Sequence, residues 1–376
     1  MKKIQMVDLK SQYEKIKDTV NVSIQEVLDT NTYINGPQVH QFQKSLEEYL
    51  DVKHVIPCAN GTDALQIAMM GLDLKPGDEV ITADFTFAAT VEVIALLQLT
   101  PVLVDVDLYN MNISIEGIKK AITPKTKAIV PVHLFGRAAN MEAIMAIAKE
   151  YNLYVIEDNA QAIGANCKFS DGTKKKAGTI GHVGATSFFP SKNLGCYGDG
   201  GAIFTNDDAL AHKLRGIVNH GMYERYHHDV VGVNSRLDSI QAAVLNAKLP
   251  LLDEYGRARQ DAARKYSATF EGHKNIVAPS ICDICDCHVF HQYTLRIIDA
   301  DRNGLMQHLL DKGIPCAIYY PIPLHSQKAY ADSRYKEEDF PVTNQLVTEV
   351  LSLPMHTELD DEQIKFITTS VLEYLG

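Results

Sequence analysis

Short apolar runs alternate with helical patterns over the first 210 residues of the chain. The runs are rich in β-branched side chains and are bounded by glycine or polar residues, which is typical of strands. They lie at 54–57, 78–83, 100–107, 127–135, 153–158, 185–189 and 201–206. Between them apolar residues recur at helical spacing, for example over 62–72 and 140–151. This alternation predicts an α/β fold with a mainly parallel sheet sandwiched by helices.

The pattern changes near residue 236. One helical pattern continues to residue 270, and Pro250 inside it predicts a kink. A strand, a helix, a second strand and a final helix are then predicted at 291–298, 299–313, 314–320 and 360–375. We therefore predict a large α/β domain over 1–250 and a smaller C-terminal α+β domain over 251–376.

Composition narrows the class of protein and its location. Of the 376 residues, 46% are apolar and 22% are charged, which is ordinary for a globular protein. The 47 acidic residues exceed the 36 basic ones, and the net charge of −11 disfavours a nucleic-acid partner. The sequence has no signal-peptide pattern and no apolar run of about 18 residues. We therefore expect a cytoplasmic protein without a membrane segment.

Seven cysteines, an odd number, indicate a reduced intracellular chain. Cys282, Cys285, Cys287 and His288 lie close together in the sequence and raise the question of a zinc site. Such a site would need a second ligand pair at a matching spacing, which the sequence lacks. An acidic, cysteine-rich surface loop is the favoured interpretation, and we predict no metal.

A helix start suited to phosphate is the first feature that could carry chemistry. Gly61 permits unusual backbone angles, and Thr62 and Asp63 are favoured at helix N-termini. The free N–H groups and partial positive charge of a helix N-terminus attract a phosphate. An ordinary helix cap would use the same residues, and it is the favoured interpretation of this motif taken alone.

Two charged residues at predicted strand ends are the next features. Asp158 ends a strand at the edge where ligands of open α/β sheets gather, although a helix-capping aspartate fits equally well. Lys192 follows another strand, between Ser187 and a glycine-rich stretch. Burial would lower the pKa of its amine and allow a Schiff base with a carbonyl, whereas a surface lysine would need no such role. A phosphate site, an anion and an amine together meet the needs of pyridoxal 5'-phosphate.

Five stretches carry a resemblance to a known family. NGTDAL, EDNAQ, SFFPSKNLGCYGDGGA, NSRLDSIQAA and YYPIPLH occur in this order and span nearly the whole chain. They resemble the sugar aminotransferases of the DegT/DnrJ/EryC1/StrS family. The resemblance implies the aspartate aminotransferase fold (fold type I of pyridoxal-phosphate enzymes) and a homodimer.

The resemblance also implies roles for individual residues. Lys192 would bind the cofactor aldehyde and move the substrate proton, and Asp158 would keep the pyridinium nitrogen protonated. Family members that act as dehydratases carry a histidine in place of this lysine, so Lys192 favours amino transfer. The remaining implied cofactor contacts are Gln161 at the ring hydroxyl, Gly61, Thr62 and Ser187 at the phosphate, Phe85 stacked on the ring, and Asn234 reaching the phosphate from the neighbouring subunit.

The implied substrates are L-glutamate and a nucleotide-linked ketosugar. GCYGDGG, RYHHDVVGVNSRLD and LSLPMH are most similar to enzymes that aminate C3 of UDP-2-acetamido-2-deoxy-3-oxo-D-glucuronate for surface polysaccharides such as lipopolysaccharide. A dTDP-3-keto sugar, a 4-keto sugar, or a non-enzymatic regulator with the same fold are the alternatives. Many relatives have histidine-tyrosine where this chain has Tyr319 and Tyr320, which weakens the assignment of the sugar.

One arginine is the candidate partner for a substrate carboxylate. Arg236 can bind such a group through two hydrogen bonds, although a structural ion pair with Asp238 or another carboxylate would also explain it. The other candidate substrate-binding residues are Arg225, His227, His228, Tyr319, Tyr320 and His325.

Overall fold

A computed structural model describes residues 2–281 and 287–376. Within them the largest sheet has seven strands in the order β1-β9-β8-β5-β4-β2-β3. Neighbours from β8 through to β3 are parallel, and β9 runs antiparallel to both β1 and β8. The prediction of a mainly parallel sheet is confirmed. The strands are β1 (His54–Cys58), β2 (Glu79–Ala83), β3 (Thr100–Val104), β4 (Thr126–Val130), β5 (Tyr154–Asp158), β8 (Val183–Ser187) and β9 (Gly201–Thr205).

Helices cover both faces of this sheet because consecutive strand residues point to opposite sides. In β2, Ile81 packs in one hydrophobic cluster and Val80 in another. The first cluster includes Ile144 from a helix on one face, and the second includes Leu65 from a helix on the other. The α-helices are α1 (Leu9–Thr30), α2 (Pro37–Leu50), α3 (Gly61–Gly71), α4 (Ala89–Leu96), α5 (Ile115–Ala121), α6 (Met141–Tyr151), α7 (Asp208–Ile217), α8 (Ser239–Lys248), α9 (Leu252–Phe270), α10 (Arg302–Asp311), α11 (Pro341–Glu349) and α12 (Asp361–Leu375).

The predicted kink at Pro250 is confirmed. Helix α8 ends at Lys248, and a short 3-10 segment, Leu249–Leu251, leads into α9. Proline has no N–H to donate inside an α-helix, which explains the break. Two hairpins that the pattern did not predict are β6 (Asn166–Lys168) with β7 (Lys174–Lys176) and β10 (Met222–Glu224) with β11 (His227–His228).

A second, antiparallel sheet lies in the C-terminal part of the chain. It consists of β12 (Ile276–Val277), β13 (Tyr293–Ile297) and β14 (Val350–Leu353), and α9, α10 and α12 pack on it in one cluster. The predicted strand over 314–320 is wrong. Only Ala317 in this stretch forms a bridge, to Ser352, because Tyr319 and Tyr320 turn toward a cavity instead of continuing a ladder.

The domain boundary at residue 250 stays a prediction. The two sheets do fall on opposite sides of it, but α9 contributes to the packing of both parts. Leu252 at its start packs with the cluster around β1 and β9, and Phe270 at its end packs with the second sheet. Among the described residues, no helix combines the length and apolar character that crossing a membrane requires.

Candidate active site

A cavity of about 700 Å³ opens at the carboxyl ends of β5 and β8. Asp158 is the last residue of β5 and Ser187 the last of β8, and both border the cavity together with Lys192. Residues 188–200, which we call the lysine loop, connect β8 to β9. The parallel order of the strands thus brings the three predicted chemical features to one edge of the sheet.

The start of α3 forms one wall and leaves amide groups available. Asn60 caps the helix, since its side chain accepts a hydrogen bond from the N–H of Asp63 at 2.8 Å. No acceptor among the described residues takes the N–H of Gly61 or Thr62, both of which border the cavity. A Cβ on Gly61 would lie 2.6 Å from the Cβ of Ser187. Glycine is therefore required here, and the pair of amides beside a serine hydroxyl can hold an anion.

Asp158 is buried, with 5% of its surface exposed, and both of its oxygens are engaged. The hydroxyl of Thr90 donates to Oδ2 at 2.7 Å, and the N–H of Ala160 donates to Oδ1 at 3.1 Å. No helix begins within residues 159–165, so the helix-capping interpretation does not apply. These contacts hold a carboxylate in place where it can pair with a cationic group in the cavity.

Lys192 is a cavity residue and not a surface lysine. Its backbone N–H donates to the carbonyl of Phe189 at 2.8 Å, which fixes the turn that carries the side chain. Burial lowers the pKa of its amine to about 8, and the charge of Asp158 opposes this effect. A substantial fraction of the amine is therefore uncharged near neutral pH, as a nucleophile requires.

Gln161 is fixed at both ends of its amide. Its Oε1 accepts a hydrogen bond from the N–H of Phe135 at 2.6 Å, and its Nε2 donates to the Tyr320 hydroxyl at 3.1 Å. Burial raises the pKa of Tyr320, so its hydroxyl stays protonated. Tyr319 and Tyr320 both border the cavity, where sequence analysis had expected substrate-binding residues.

The structure corrects the placement of the aromatic residue in the loop after β2. Phe85 is 1% exposed and packs edge-on against Phe135 with ring centroids 6.4 Å apart, so it does not border the cavity. Phe87 borders the cavity and is 57% exposed. The two residues stand two positions apart in a loop, where the strand alternation that would have distinguished them has already ended.

His325 is also placed differently from the prediction. It is buried away from the cavity, its Nδ1 lies 2.7 Å from Oδ2 of Asp84, and its ring stacks on Phe340 at 4.4 Å. Burial raises the pKa of Asp84, and the hydrogen bond from His325 opposes this shift. The histidine fastens the loop after β2 to the C-terminal part of the chain, which is a packing role.

A second set of predicted residues lies outside the cavity of the single chain. Arg225, His227 and His228 are exposed on the hairpin of β10 and β11, and Asn234 is exposed just before α8. Arg236 donates to Oδ1 of Asn219 at 3.4 Å. Within the part of the chain described, it forms no ion pair with Asp238, so that structural explanation for the arginine does not apply.

Sequence analysis missed a histidine in the cavity wall. His291 is 6% exposed, borders the cavity, and has no hydrogen-bond partner at Nδ1 among the described residues. Burial first, and then the charges of Lys192 and Arg259, hold its pKa well below the usual range. The only signal in the sequence is the polar pair His291 and Gln292 immediately before β13.

The predicted cysteine cluster lies only partly within the described residues. Cys282 and Cys285 lie outside the described residues, and Cys287 and His288 lie within them. Among residues 2–281 and 287–376, no group of three or more histidine, cysteine or acidic side chains could hold a metal.

Three curated relatives match this chain over nearly its full length. UDP-2-acetamido-2-deoxy-3-oxo-D-glucuronate aminotransferase of Pseudomonas aeruginosa is 46% identical, with 98% of this chain and 99% of the relative covered. A pleiotropic regulatory protein of Geobacillus stearothermophilus is 44% identical, with 99% and 98% covered. UDP-N-acetyl-3-dehydro-alpha-D-glucosamine 3-aminotransferase of Acidithiobacillus ferrooxidans is 44% identical, with 98% and 97% covered.

Solved structures agree in fold. A DegT DnrJ EryC1 StrS aminotransferase from Brucella abortus superposes with a TM-score of 0.92 at 42% identity, covering 99% of this chain and 100% of that one. NtdA from Bacillus subtilis, with the cofactor PMP bound, gives a TM-score of 0.88 at 30% identity, covering 96% and 82%. The family pattern itself matches residues 14–372. This chain therefore belongs to the DegT/DnrJ/EryC1/StrS aminotransferase family.

Proposed function

We propose that this protein transfers the amino group of L-glutamate to C3 of UDP-2-acetamido-2-deoxy-3-oxo-D-glucuronate with pyridoxal 5'-phosphate as cofactor. The observation that carries the proposal is the placement of Lys192 and Asp158 on one cavity, at the end of neighbouring parallel strands. The P. aeruginosa relative named for this sugar, 46% identical, supports the choice of substrate.

The residues around the cavity fit the cofactor. The amides of Gly61 and Thr62 and the hydroxyl of Ser187 would hold the phosphate, because a side chain at residue 61 would fill this cradle. Asp158 would pair with the ring nitrogen, and Gln161, which has one further N–H on Nε2, would donate to the ring oxygen. Phe87, and not Phe85, is the aromatic side chain available to stack on the ring. When bound, the cofactor supplies an aldehyde and an electron sink.

The protein itself supplies the proton transfers. With a pKa of about 8, roughly a tenth of Lys192 is uncharged at pH 7, against fewer than about one in a thousand for an ordinary lysine. Its Nζ can therefore take a proton from the substrate carbon and return it. Thr90 and Ala160 fix the position of the Asp158 carboxyl group, which would face the protonated ring nitrogen of the cofactor.

We further propose a homodimer with shared active sites. Of the described side chains around the cavity, Lys192 is the one lysine or arginine, and it stands among Asp63, Asp158 and Asp199. A nucleotide sugar carries two phosphates, which need cationic partners beyond this one lysine. The exposed hairpin with Arg225, His227 and His228, and the segment with Asn234 and Arg236, would supply them to the partner's cavity. Exposed Phe87 and Phe189 at the cavity would be covered in the dimer.

Two alternatives have specific support. The A. ferrooxidans relative is named for a sugar that is not a glucuronate, so the carboxylate at C6 is the open point of the substrate. The G. stearothermophilus relative is named a regulatory protein, which supports a non-enzymatic role. The intact Lys192 and Asp158 favour catalysis. The product would be an activated sugar for surface polysaccharides such as lipopolysaccharide, and we propose that the enzyme makes it in the cytoplasm.

The test begins with a visible absorption spectrum of the protein purified with pyridoxal phosphate, before and after L-glutamate. We expect a band from Lys192-bound cofactor that glutamate removes, and Lys192→Ala as control should lack it. The amino-loaded protein is then offered the 3-keto UDP sugar with and without the C6 carboxylate, and a 4-keto sugar. Preference for another sugar would overturn the substrate, and a glutamate-insensitive band would favour the regulator.

A further inference from the structure

A second lysine lies behind the lysine loop and is almost completely buried. Lys248, at the end of α8, is 1% exposed. Its Nζ donates to the carbonyl of Gly195 at 2.7 Å and stands 4.5 Å from the ring centroid of Tyr197. No carboxylate among residues 2–281 and 287–376 lies within 4.0 Å of this ammonium. Both of its contacts are therefore with the lysine loop.

Burying this charge without a carboxylate is costly. Burial lowers the pKa of Lys248 to about 8, and the thiol of Cys196 opposes the shift only partly. A methionine would fill a similar volume without losing hydration of a charge. The chain retains instead an ammonium whose bond to Gly195 and contact with the Tyr197 ring offset part of that cost. A cost of this kind at this place suggests that the contact with the loop has a function.

The loop transmits the position of Gly195 to Lys192. The N–H of Cys196 donates to the carbonyl of Phe188 at 2.8 Å, which closes the loop into a compact turn. A Cβ on Gly195 would lie 2.4 Å from the carbonyl oxygen of Pro190, so the two arms of the turn are in contact. Lys192 lies between these arms. A shift at Gly195 therefore moves the backbone of Lys192.

Helix α8 holds the loop at one further point. Oε1 of Gln241 accepts a hydrogen bond from the N–H of Tyr197 at 2.8 Å. Gln241 and Lys248 are seven residues apart and thus lie on the same side of the helix, two turns from each other. The residues before α8 include Asn234 and Arg236, the proposed contribution to the partner's site. Helix α8 thus contacts the lysine loop and directly follows the segment proposed to reach the partner's cavity.

We propose that Lys248 is a positioning residue for catalysis, which fixes the lysine loop through Gly195 and Tyr197 so that Lys192 is held in its place at the cavity. This deepens the aminotransferase function proposed above and rests on it. Without the ammonium, the carbonyl of Gly195 loses its partner and the loop loosens. Lys192 then gains water, and the cause of its lowered pKa is removed.

The chain offers a matched control. Lys176 makes the same two kinds of contact elsewhere, since its Nζ donates to the carbonyl of Gly164 at 3.3 Å and lies 4.8 Å from the Tyr49 ring. Lys248→Met and Lys176→Met therefore remove groups that make the same kinds of contact, although Lys176 is only half-buried, and the contacts of Lys248 alone are with the lysine loop. Tyr197→Leu, at a partly exposed position, weakens the same support and serves if Lys248→Met does not fold.

The main readout is the pKa of Lys192 in the cofactor-free protein, from pH-dependent trace acetylation and mass spectrometry. We expect it to rise from about 8 by at least about one pH unit in Lys248→Met, and to stay unchanged in Lys176→Met. Amide exchange at residues 193–197 should accelerate by at least about tenfold in the same variant. Full enzyme with glutamate should lose kcat by about tenfold or more with KM changed less than about threefold.

The outcomes separate this proposal from the proposed function. Equal effects of the two methionine variants, or an unchanged Lys192 pKa in both Lys248→Met and Tyr197→Leu, would overturn the positioning role. Acetylation and amide exchange need neither cofactor nor sugar. A protein that never transaminates would therefore refute the proposed function while these two measurements still decide whether Lys248 holds the loop.

Discussion

The two sets of predicted site residues are held by this chain in opposite ways. Asp158, Lys192 and Gln161 lie at the sheet edge, and each has hydrogen-bond partners within the chain. Arg225 and His227 stand exposed on a two-stranded hairpin, where the guanidinium of Arg225 reaches only its neighbour Tyr226 among described residues. The first set is preorganised as catalysis demands, whereas the second is exposed on the surface. The difference supports the proposal that one chain fixes the cofactor side of the site and that a second copy would complete the nucleotide side.

The largest effect expected from breaking the preorganised half is that of Lys192→Ala. Without the amine, the proton has no carrier and the cofactor no covalent attachment, so turnover should fall by at least about 10⁴-fold. The visible band should vanish, while the melting temperature stays close to that of the parent protein because a partly exposed side chain is lost. Glutamate-dependent amination is measured by following the aminated sugar. Retention of more than about a hundredth of the activity would contradict the role given to Lys192.

Acid should affect the buried region and spare the hairpin. His288, His291 and His356 are buried, and burial is the first cause of their lowered pKa, to about 3 for His288 and about 4 for His356. Unfolding lets each take up a proton at pH values below about 6.5. The stability that depends on their neutral state is thus complete above pH 6.5 and is lost as pH falls toward 4. Three such groups contribute up to about 4 kcal/mol for each pH unit.

Urea unfolding at pH 7, 6 and 5 measures this dependence. His356→Gln should make the dependence shallower by up to about 1.4 kcal/mol per pH unit, since one proton fewer is taken up. The double variant His227→Gln with His228→Gln is the control on exposed residues, and it should leave the slope unchanged. If the hairpin double variant makes the pH dependence of stability shallower and His356→Gln does not, the assignment of this dependence to the buried histidines is wrong.

Two phenylalanines provide the next comparison, because Phe85 is buried and Phe87 is exposed at the cavity. Phe85→Ala should cost about 3–5 kcal/mol of unfolding free energy through the hole it leaves in the core. Phe87→Ala should leave stability within about 1 kcal/mol and weaken cofactor binding instead. Urea titration and equilibrium dialysis of the cofactor separate the two effects. Equal stability losses would place Phe87 in the core as well.

Local patterns predicted the scaffold and the meeting of Asp158 and Lys192 at one edge of the sheet. Asp158 and Lys192 could be located because each ends or follows a buried strand, and strand ends on one edge meet in space. The partners that hold them could not be found this way. Thr90 lies 68 residues from Asp158, and Tyr320 lies 159 residues from Gln161, so only the folded chain brings these side chains together.

The errors in sequence analysis fall where regular periodicity stops. Phe85 and Phe87 have the same residue type in one loop and both pack against Tyr320, but Phe85 also packs against Phe135 in the interior. The sequence predicts that His325 binds substrate, but its hydrogen bonds with Asp84 hold it in the interior. Tyr319 and Tyr320 end an apolar stretch whose pattern predicts a strand, although both side chains border the cavity. In each case a distant contact outweighs the local pattern.

The smallest effect that we expect is also the sharpest test of the shared site. Arg236→Ala should weaken the binding of an acceptor sugar that carries a carboxylate by about 1.5–3 kcal/mol, which is the range for a hydrogen bond to a charged group. The binding of a sugar without the carboxylate should weaken less. The ratio of kcat/KM for the two sugars, compared between variant and parent, measures the difference. Equal losses on both sugars would indicate a structural arginine.

Mixing variants decides from which chain this arginine acts. Lys192→Ala is inactive in its own cavity, and Arg236→Ala would be impaired in its partner's. If equal amounts exchange subunits at random, half of the dimers are mixed, and each mixed dimer has one cavity with both residues intact. Activity on the carboxylated sugar should therefore recover to about a quarter of the parent value beyond what each variant shows alone. If Arg236 serves its own chain, every cavity lacks one of the two residues and mixing restores nothing. In that case the hairpin and its neighbouring segment would fold onto the cavity of their own chain. Both sets of residues would then serve one chain, and the exposed set would have to move to reach the cavity.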